Sequence, residues 1–413
     1  MIKTLACMAC VATACAFSVV ACSSSSTSNV TDVPADSGAD APVVVVTDSG
    51  AQPDGGLQPL TWGWQNVPGA KCRDGSDTGI GVNLAPGSTK TMIFLEGGGA
   101  CFNSLTCGTN PSKYGESDFK SFVGGAGAGG FNGSFDKGMT NGIMSRADNA
   151  NPVKDWNMIY IPYCTGDIHG GVNPTGTIPG VTGTQQFVGR NNIAVDLAAI
   201  KALVPGTEQV LLTGMSGGGF GTVMAYDQVA TFWGSVPVDM IDDSGPPMPA
   251  PTLASCLQSQ LVTLWGLDKG VLADCGDDCK TDGGVDTGNF GIGVMKHIAK
   301  KYPARKFGLI EATGDATITQ FFGFGNNGAC GTGFAAVLEP DFVNGLLDLR
   351  AQMAFDSNFG TFYFGGADHQ AHTSYEGQLD TRMSTDTLDG GAPVSLSAWT
   401  TQFLAGTVTN VGP

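Results

Sequence analysis

The sequence predicts an α/β fold in which a mostly parallel central sheet is flanked by helices. Short apolar runs bounded by glycine-rich turns recur along the 413 residues, and helix-compatible segments lie between several of them. Strands that alternate with helices are typical of a parallel sheet, because a crossover helix returns the chain to the edge where the next strand begins. One apolar run also ends at a sharp turn that carries a serine, Ser216. These observations favour one large domain, since α/β enzymes often use about 250 residues or more as a single unit.

The predicted elements follow from the hydrophobic pattern, taken in chain order. Apolar runs at 90–95 and 156–162 predict strands, and residues 191–204 carry apolar side chains at helical spacing. The run at 210–212 predicts the strand before the serine, and a helix-compatible run follows at 219–229. Three further strands and one helix are expected at 236–241, 306–311, 360–364 and 291–301, respectively.

The turn at Ser216 has the pattern of a turn that presents a nucleophile. Its sequence, Gly-Met-Ser-Gly-Gly, places Gly214 and Gly218 two residues before and two residues after the serine. A turn that raises a serine above a sheet is strained and accepts only small residues at those two places. An ordinary glycine-rich loop would also match in a chain with 62 glycines. The strand and helix on either side favour the nucleophile.

A second glycine turn, Glu96-Gly97-Gly98-Gly99, directly follows the strand at 90–95. Backbone amides in such a turn are free to point at an oxyanion. An esterase needs two or three such donors, each about 3 Å from the developing charge. A simple tight turn after a strand is the alternative. The segment is therefore a candidate oxyanion hole.

A serine nucleophile needs a base, and the chain has only four histidines. In α/β hydrolases the order along the chain is serine, acid, histidine, so His169 is excluded because it precedes Ser216. His297 lies in a predicted amphipathic helix, where a solvated or half-packed side chain is expected. His369 and His372 remain. His369 is preferred because it comes a few residues after a strand, where loops carry catalytic groups.

Three aspartates that follow predicted strands could be the acid that orients the base. Asp368 adjoins His369 in sequence, and a direct neighbour rarely points at the ring correctly. Asp243 follows the strand immediately after the helix of Ser216. Asp315 follows the next strand and precedes an apolar run, so burial could orient its carboxylate. Asp315 is preferred, and Asp243 stays open.

The first residues have the pattern of an export signal. Lys3 is followed by an apolar stretch, which ends with Val-Val-Ala before Cys22 as a bacterial lipoprotein signal does. Such a segment is a targeting signal that is cleaved off during export, and it is too short to span a bilayer. We therefore expect a signal peptide at 1–21 and a lipid on Cys22, in a bacterial cell-envelope protein. An ordinary secretion signal without lipid is the alternative.

Residues 22–58 are rich in Ser, Asp, Ala, Pro and Gly and contain no aromatic side chain. This composition cannot bury a core, so it predicts a disordered tether before a catalytic domain at 59–413. The domain has 19 basic and 32 acidic residues, a net charge of −13. Such an acidic surface argues against nucleic acid and anionic lipid as partners. Membrane contact is expected only through a lipid on Cys22.

Eight cysteines remain when those of the signal and Cys22 are set aside, and they predict up to four disulfides in an exported chain. Cys275 and Cys279 could also be half of a metal site, but zinc would need two more ligands and no histidine lies nearby. Disulfides are therefore favoured. Residues 249–290 contain three of the cysteines and predict a disulfide-tied insertion. The eight are Cys72, Cys101, Cys107, Cys164, Cys256, Cys275, Cys279 and Cys330.

Four blocks of the sequence resemble, in the same order, blocks of the pectin acetylesterase and Notum family. They lie at 93–107 (IFLEGGGACFNSLTC), 142–167, 214–219 (GMSGGG) and 314–320 (GDATITQ). The resemblance spans about residues 60–375. It implies an α/β-hydrolase fold with a Ser-Asp-His triad and loop-rich insertions.

Carried over position by position, the resemblance implies Ser216 as nucleophile, Asp315 as acid and His369 as base. The places whose amides form the oxyanion hole of the family are occupied by Gly98, Gly99 and Gly217. Relatives commonly have an aromatic residue at the place of Gly99 or Ala100, and an alanine at the place of Gly217. Cysteines around the histidine are also absent. The missing aromatic would line the acyl pocket, so these departures affect the expected substrate rather than the chemistry.

The sequence therefore predicts an extracellular serine carboxylesterase of the EC 3.1.1 type that needs no metal and no organic cofactor. The leading substrate is an acetylated polysaccharide. Polygalacturonate is anionic and would be repelled by an acidic domain unless basic side chains cluster at the cleft, so a neutral xylan-like glycan is as good a candidate as pectin. One alternative is removal of a longer acyl chain from a protein or lipid. The other is a surface-tethered binding lipoprotein without catalysis.

Overall fold

The fold is described from a computed structural model of the chain. The described residues are 56–124, 139, 142–281, 284–326, 330, 335–369, 384 and 392–412. The predicted signal peptide, Cys22, the predicted tether up to residue 55 and His372 lie outside them. Gly55–Pro413 forms one compact unit. Among the described residues, no helix is both long and apolar enough to cross a membrane.

A nine-stranded sheet forms the centre of the fold, in the order β1-β2-β4-β3-β7-β8-β11-β12-β13. β2 pairs antiparallel with β1 and with β4, and every other neighbouring pair is parallel. Two small two-stranded sheets are formed by β5 with β6 and by β9 with β10. The mostly parallel central sheet predicted from the sequence is confirmed. The strands are β1 (Gly63–Lys71), β2 (Asp77–Asn83), β3 (Lys90–Leu95), β4 (Asn157–Ile161), β5 (Asn173–Gly176), β6 (Gln185–Phe187), β7 (Gln209–Met215), β8 (Val238–Asp243), β9 (Lys280–Thr281), β10 (Gly284–Val285), β11 (Phe307–Ala312), β12 (Phe359–Phe364) and β13 (Asn410–Val411).

Helices cover both faces of the sheet, as a buried parallel sheet requires. Along β3, Ile93 and Leu95 belong to one apolar cluster, whereas Met92 and Phe94 belong to another. The first cluster includes side chains of α3, α4 and α7, and the second includes those of α2 and α10. The helices are α1 (Ser104–Thr109), α2 (Glu116–Val123), α3 (Gly189–Leu203), α4 (Gly217–Trp233), α5 (Ser255–Trp265), α6 (Val271–Cys275), α7 (Phe290–Lys301), α8 (Ala316–Gly323), α9 (Glu339–Met353) and α10 (Leu396–Leu404).

The prediction that the eight cysteines form disulfides is confirmed. The insertion expected at 249–290 contains α5, α6 and the β9–β10 hairpin, and a disulfide from its first cysteine ties α5 to the loop after α8. The half metal site considered for Cys275 and Cys279 is instead a disulfide. The four pairs are Cys72–Cys164, Cys101–Cys107, Cys256–Cys330 and Cys275–Cys279.

The strand expected at 236–241 differs from the observed one. β8 begins at Val238 and continues through Asp242 and Asp243, both of which are buried. The predicted strand ended at Ile241. β8 instead continues its register with β7 as far as Asp243, although carboxylates are seldom buried in a strand.

The disulfide between Cys72 and Cys164 should contribute much more to stability than the one between Cys275 and Cys279. The first joins residues 92 apart and the second residues 4 apart. On the chain-entropy account, closing these loops stabilises the folded state by about 4.6 and about 2 kcal/mol, respectively. We expect the double variant C72A/C164A to unfold at distinctly lower urea concentration than C275A/C279A. Equal midpoints in urea denaturation would contradict this expectation.

Candidate active site

Ser216 lies at a sharp turn between β7 and α4, at the carboxyl edge of the sheet. Its backbone is in the left-handed region, with φ +54°, and its amide donates a hydrogen bond of 2.8 Å to Asp243 O at the end of β8. A Cβ atom on Gly214 would clash with Gly218 O, and one on Gly218 would clash with Leu95 O. The turn therefore requires glycine on both sides of the serine.

The glycine turn after β3 packs directly against this serine turn. β3 and β7 pair in parallel, so both turns leave the same edge of the sheet. A Cβ atom on Gly97 would lie 2.9 Å from Ser216 Cβ. One on Gly217 would lie 2.7 Å from Gly99 O. Gly98 and Gly99 have φ values of +148° and +81°. The structure therefore brings the candidate oxyanion glycines into contact with the candidate nucleophile.

The candidate base and acid are hydrogen-bonded to each other. His369 Nδ1 lies 2.5 Å from Asp315 Oδ2, and the Asp315 side chain is fully buried. Its other oxygen, Oδ1, accepts the amides of Thr317 and Ile318 at 2.8 and 2.7 Å, at the start of α8. His369 Nε2 is buried and has no hydrogen-bond partner among the described residues. Because the carboxylate accepts a hydrogen bond from Nδ1–H, the proton stays on Nδ1 and Nε2 is left with the lone pair that a general base needs.

Of the three candidate acids, Asp315 is the one bonded to His369. Asp243 is buried, and its Oδ1 accepts the Ser244 hydroxyl at 2.8 Å. Asp368, which adjoins the histidine in sequence, is exposed. The geometry thus favours Asp315, the residue preferred from the sequence, as the acid.

Three more carboxyl groups are buried at the carboxyl ends of neighbouring strands, Asp242 and Asp243 on β8 and Glu311 on β11. Burial raises the pKa of Asp242 well above its usual range, and the charge of Asp243 adds to the effect. Burial likewise raises the pKa of Glu311, with a further contribution from Asp315. The neutral forms of Asp242 and Glu311 are therefore favoured. Asp315 instead receives three N–H donors, from two backbone amides and the His369 ring.

The two histidines that the sequence argument set aside lie in structural positions. His169 is buried, and burial lowers its pKa to about 4, so the ring is neutral near pH 7. Its Nε2 lies 2.9 Å from Glu96 O. A carbonyl oxygen can only accept, so Nε2 carries the hydrogen. His297 on α7 is half-buried and its Nδ1 lies 2.9 Å from Asp278 Oδ2, as expected for a half-packed residue.

The sequence did not reveal the contacts that hold the glycine turn at 96–99 in place. Asn110 Nδ2 donates to Gly98 O at 2.9 Å, and Glu96 Oε2 accepts the Tyr163 amide at 2.8 Å. Asn110, Glu96 and Tyr163 are all buried. Glu96 and Tyr163 lie in the blocks that carry the family resemblance, which was their only signal. Asn110 has none, because a single asparagine after a short cysteine loop forms no recognisable pattern.

An apolar cavity of about 60 Å³, partly open to solvent, begins at Ser216. The ring of Phe321 lies 3.0 Å from the place that a Cβ of Gly99 would take. A ring from α8 therefore occupies the neighbourhood where relatives carry an aromatic side chain on the glycine turn. Helices α5 and α8 supply much of the lining, with the side chains of Leu257, Leu261, Trp265, Ile318, Phe321 and Phe322.

Within the part of the chain that the structure describes, the cavity lining has no basic side chain and no cluster of potential metal ligands is found. No Lys or Arg lines the cavity. No group of three or more His, Cys, Asp or Glu side chains is arranged there to hold a metal ion.

Comparison with known protein families gives a match to the family model described as pectinacetylesterase, over residues 64–282. This is more than half of the chain. The chain belongs to the pectinacetylesterase family. Membership confirms the resemblance found in the sequence. It also supports the predicted enzyme class, that of a carboxylesterase.

The curated relatives are Notum proteins of animals. The chain is 29% identical over 188 residues to palmitoleoyl-protein carboxylesterase NOTUM of Mus musculus, which covers 42% of this chain and 33% of that protein. It is 31% identical over 189 residues to palmitoleoyl-protein carboxylesterase notum2 of Xenopus laevis, covering 42% of this chain and 34% of that protein. The matches thus span about a third of the length of these relatives.

A solved structure shares the fold over a longer stretch. The structure of the Wnt deacylase Notum from Drosophila superposes with a TM-score of 0.56 at 18% sequence identity. The match covers 84% of this chain and 95% of that chain. At this identity the likeness establishes the fold alone, and it confirms the α/β-hydrolase-like architecture.

Replacement of Glu96 by glutamine should change how stability depends on pH. Burial raises the pKa of Glu96 to about 7, so the unfolded chain releases this proton at lower pH than the folded chain. Wild-type stability therefore falls as pH rises between the two pKa values. Glu96→Gln keeps an oxygen that can accept the Tyr163 amide but has no charged form. From about pH 5 to about pH 8, the stability of the variant relative to wild type should rise by about 2–3 kcal/mol.

Urea denaturation at the two pH values measures this difference. Glu116→Gln, which changes an exposed glutamate of α2, is the matched control and should follow the wild-type curve. A Glu96→Gln curve parallel to wild type would show that Glu96 is ionised at no cost in the folded protein.

Proposed function

We propose that this protein is a secreted carboxylesterase in which Ser216 is the nucleophile, His369 the base and Asp315 the acid that orients it. The observation that carries the proposal is the 2.5 Å hydrogen bond between His369 Nδ1 and Asp315 Oδ2, which leaves Nε2 buried and without a described partner. Ser216 supports it by its place at the strained turn, beside the cavity that α8 also lines. Membership in the pectinacetylesterase family agrees with this chemistry.

The reaction proceeds in two halves. Ser216 Oγ attacks the ester carbonyl carbon while His369 Nε2 takes the hydroxyl proton. The carbonyl oxygen becomes an oxyanion, and the amides of the glycine turn and of Gly217 stabilise it. Collapse of this intermediate expels the alcohol, which takes the proton from Nε2, and leaves an acyl-serine. Water, deprotonated by the same nitrogen, then releases the carboxylic acid and restores the serine.

The apolar cavity favours an acyl group longer than acetyl. An acetyl group would bury one methyl, whereas the lining from α5 and α8 can bury several methylenes, each contributing about 0.8 kcal/mol. The relatives named palmitoleoyl-protein carboxylesterases agree with this preference. The leading acetylated-glycan substrate of the sequence argument thus becomes the second candidate, and the description of the family as pectinacetylesterase is its support.

The carrier of the acyl group should be neutral or basic at the site. No Lys or Arg is found among the described residues that line the cavity, and the domain at 59–413 has a net charge of −13. A polygalacturonate backbone would be repelled by this charge at physiological ionic strength. Among acetylated glycans, a neutral xylan-like polymer is therefore preferred to pectin.

Export is supported by the disulfides, which persist in oxidising compartments. The signal peptide and a lipid on Cys22 are part of the proposal, with the cell envelope as the place of action. Mass spectrometry of the mature amino terminus would detect the lipid, and an unmodified terminus beyond Cys22 would exclude it.

Variants of the three proposed catalytic residues test the mechanism. Ser216→Ala and His369→Ala should abolish ester hydrolysis with the fold intact. Asp315→Asn should lower kcat by about 10⁴-fold, because the ring then loses its correct tautomer. The matched control is Asp368→Asn, which changes an exposed aspartate next to the base and should keep kcat close to wild type. Initial rates on a p-nitrophenyl ester give these values, and circular dichroism checks the fold.

Near-full activity in Ser216→Ala or His369→Ala would overturn the mechanism. A larger loss in Asp243→Asn than in Asp315→Asn would transfer the acid role to Asp243. A fluorophosphonate that fails to label Ser216 in folded wild type would favour the binding lipoprotein without catalysis.

The preference for acyl length can be tested by filling the cavity. Wild type should give higher kcat/KM on p-nitrophenyl octanoate than on the acetate, by up to about fourfold per added methylene. Leu261→Trp, on the cavity wall formed by α5, should lower activity on the octanoate and spare the acetate. Leu338→Trp, at a leucine with 69% of its surface exposed, is the control. Activity on the acetate with none on the octanoate would instead favour an acetylesterase.

A further inference from the structure

We propose that Asn110 is a positioning residue that fixes the peptide between Gly98 and Gly99 and so aims the Gly99 amide into the oxyanion hole. This inference rests on the proposed esterase function. Asn110 ends α1 and lies 4% exposed. Its Nδ2 donates to Gly98 O at 2.9 Å. The amide orientation is unambiguous, because a carbonyl oxygen must face the NH₂ group rather than the side-chain oxygen.

The geometry of the peptide bond transmits this contact to the amide. In a trans peptide the C=O of one residue and the N–H of the next point in opposite directions. A hydrogen bond that holds Gly98 O on one side therefore directs the Gly99 N–H to the other. Asn110 is not among the described residues that line the cavity around Ser216. Gly99 itself lines the cavity, so a Gly99 N–H directed away from Asn110 is directed towards the cavity on this proposal.

An external bond is needed because neither residue restricts its own backbone. Gly98 and Gly99 have positive φ values, and glycine also populates negative φ about as readily. A free peptide of two glycines would therefore rotate among several orientations. Most of these would remove the amide from the oxyanion. The Asn110 side chain selects one of them before substrate arrives, which is the preorganisation that this kind of catalysis requires.

The Asn110 side chain is itself held in place. The backbone carbonyl of Asn110 accepts a hydrogen bond from Arg73 Nη2 at 2.7 Å, and the same nitrogen donates to Cys107 O at 3.1 Å. Arg73 is 2% exposed. A Cβ atom on Gly166 would lie 2.7 Å from Asn110 Oδ1, so the amide fits tightly against that glycine. Arg73 thus holds Asn110 in place, and Asn110 in turn holds the glycine turn.

The Glu96–Gly97 peptide, at the start of the turn, is anchored by residues other than Asn110. His169 Nε2 donates to Glu96 O at 2.9 Å, and the Glu96 side chain accepts the Tyr163 amide. These contacts hold the start of the turn. Loss of the Asn110 side chain should therefore leave the turn folded but release the Gly98–Gly99 peptide.

The test compares Asn110→Ala and Asn110→Asp with Thr109→Val. The aspartate keeps the shape of asparagine but presents only oxygens to Gly98 O. Thr109→Val removes a neighbouring bond, from Thr109 Oγ1 to Thr106 O, that does not touch the turn. Active sites are counted by fluorophosphonate titration, so that misfolded protein does not lower kcat. We expect kcat per active site to fall about 10- to 100-fold in both Asn110 variants, with KM changed less than about threefold.

An alkyl trifluoromethyl ketone supplies a readout that a general structural defect would not move. Its adduct with Ser216 carries an oxyanion, so its inhibition constant should rise in the Asn110 variants by the factor lost in kcat/KM. Thr109→Val should match wild type in both measurements. If Asn110→Ala keeps kcat within about twofold of wild type, or lowers it without raising the inhibition constant, the inference is wrong.

Failure of the proposed function would look different. In that case wild type and Thr109→Val would also hydrolyse no ester and take no fluorophosphonate. Crystal structures of wild type and Asn110→Ala would then decide the inference on geometry. A reorientated Gly98–Gly99 peptide in the variant would support it, and an unchanged peptide would overturn it.

Discussion

The close approach of two backbone turns is the constraint on which this site depends. Leu95 at the end of β3 is paired with Gly214 near the end of β7, so the chain leaving each strand enters the same small volume. Side chains are excluded there, since a Cβ atom on Gly97 or Gly218 would meet carbonyl oxygens of the opposing strand end. The hydrogen-bond donors proposed to stabilise the oxyanion at this contact are therefore backbone amides. The sheet register brings the two turns together, and amides already held in position need no reorganisation when charge develops.

The electrostatics of the site follow from helix termini at the same edge. Ser216 precedes the first residue of α4, and Asp315 precedes that of α8, so both sit at the positive ends of helix dipoles. Negative charge is stabilised at these two places. Nearby, burial without comparable donors raises the pKa of Asp242 and of Glu311. A dense group of carboxyls can therefore share one strand edge, because burial favours neutral forms for two of its members.

The parts of the fold with continuous apolar runs were predictable from the sequence, because a strand buried on both faces has no polar interruption. β3 matches its predicted bounds, and α3 begins two residues before its prediction. β1 and β2 were missed, since β1 has exposed positions and both strands contain glycines that weaken the strand pattern. The candidate catalytic residues could be placed by chain order and strand ends. Asn110 could not, because its contact with Gly98 joins residues 12 apart through side-chain direction, which a linear pattern does not encode.

Part of the cavity wall comes from a stretch of the chain that is separate from the proposed catalytic residues. Leu257, Leu261 and Trp265 come from an insertion between β8 and α7, outside the central sheet. Trp265 Nε1 anchors this insertion to Cys101 O at 3.0 Å, and a disulfide ties its first helix to the loop after α8. This part of the cavity wall can therefore change without a change in the sheet. Mutation of the insertion can alter the substrate range within a lineage, while the sheet that carries the proposed nucleophile stays under a different selective constraint.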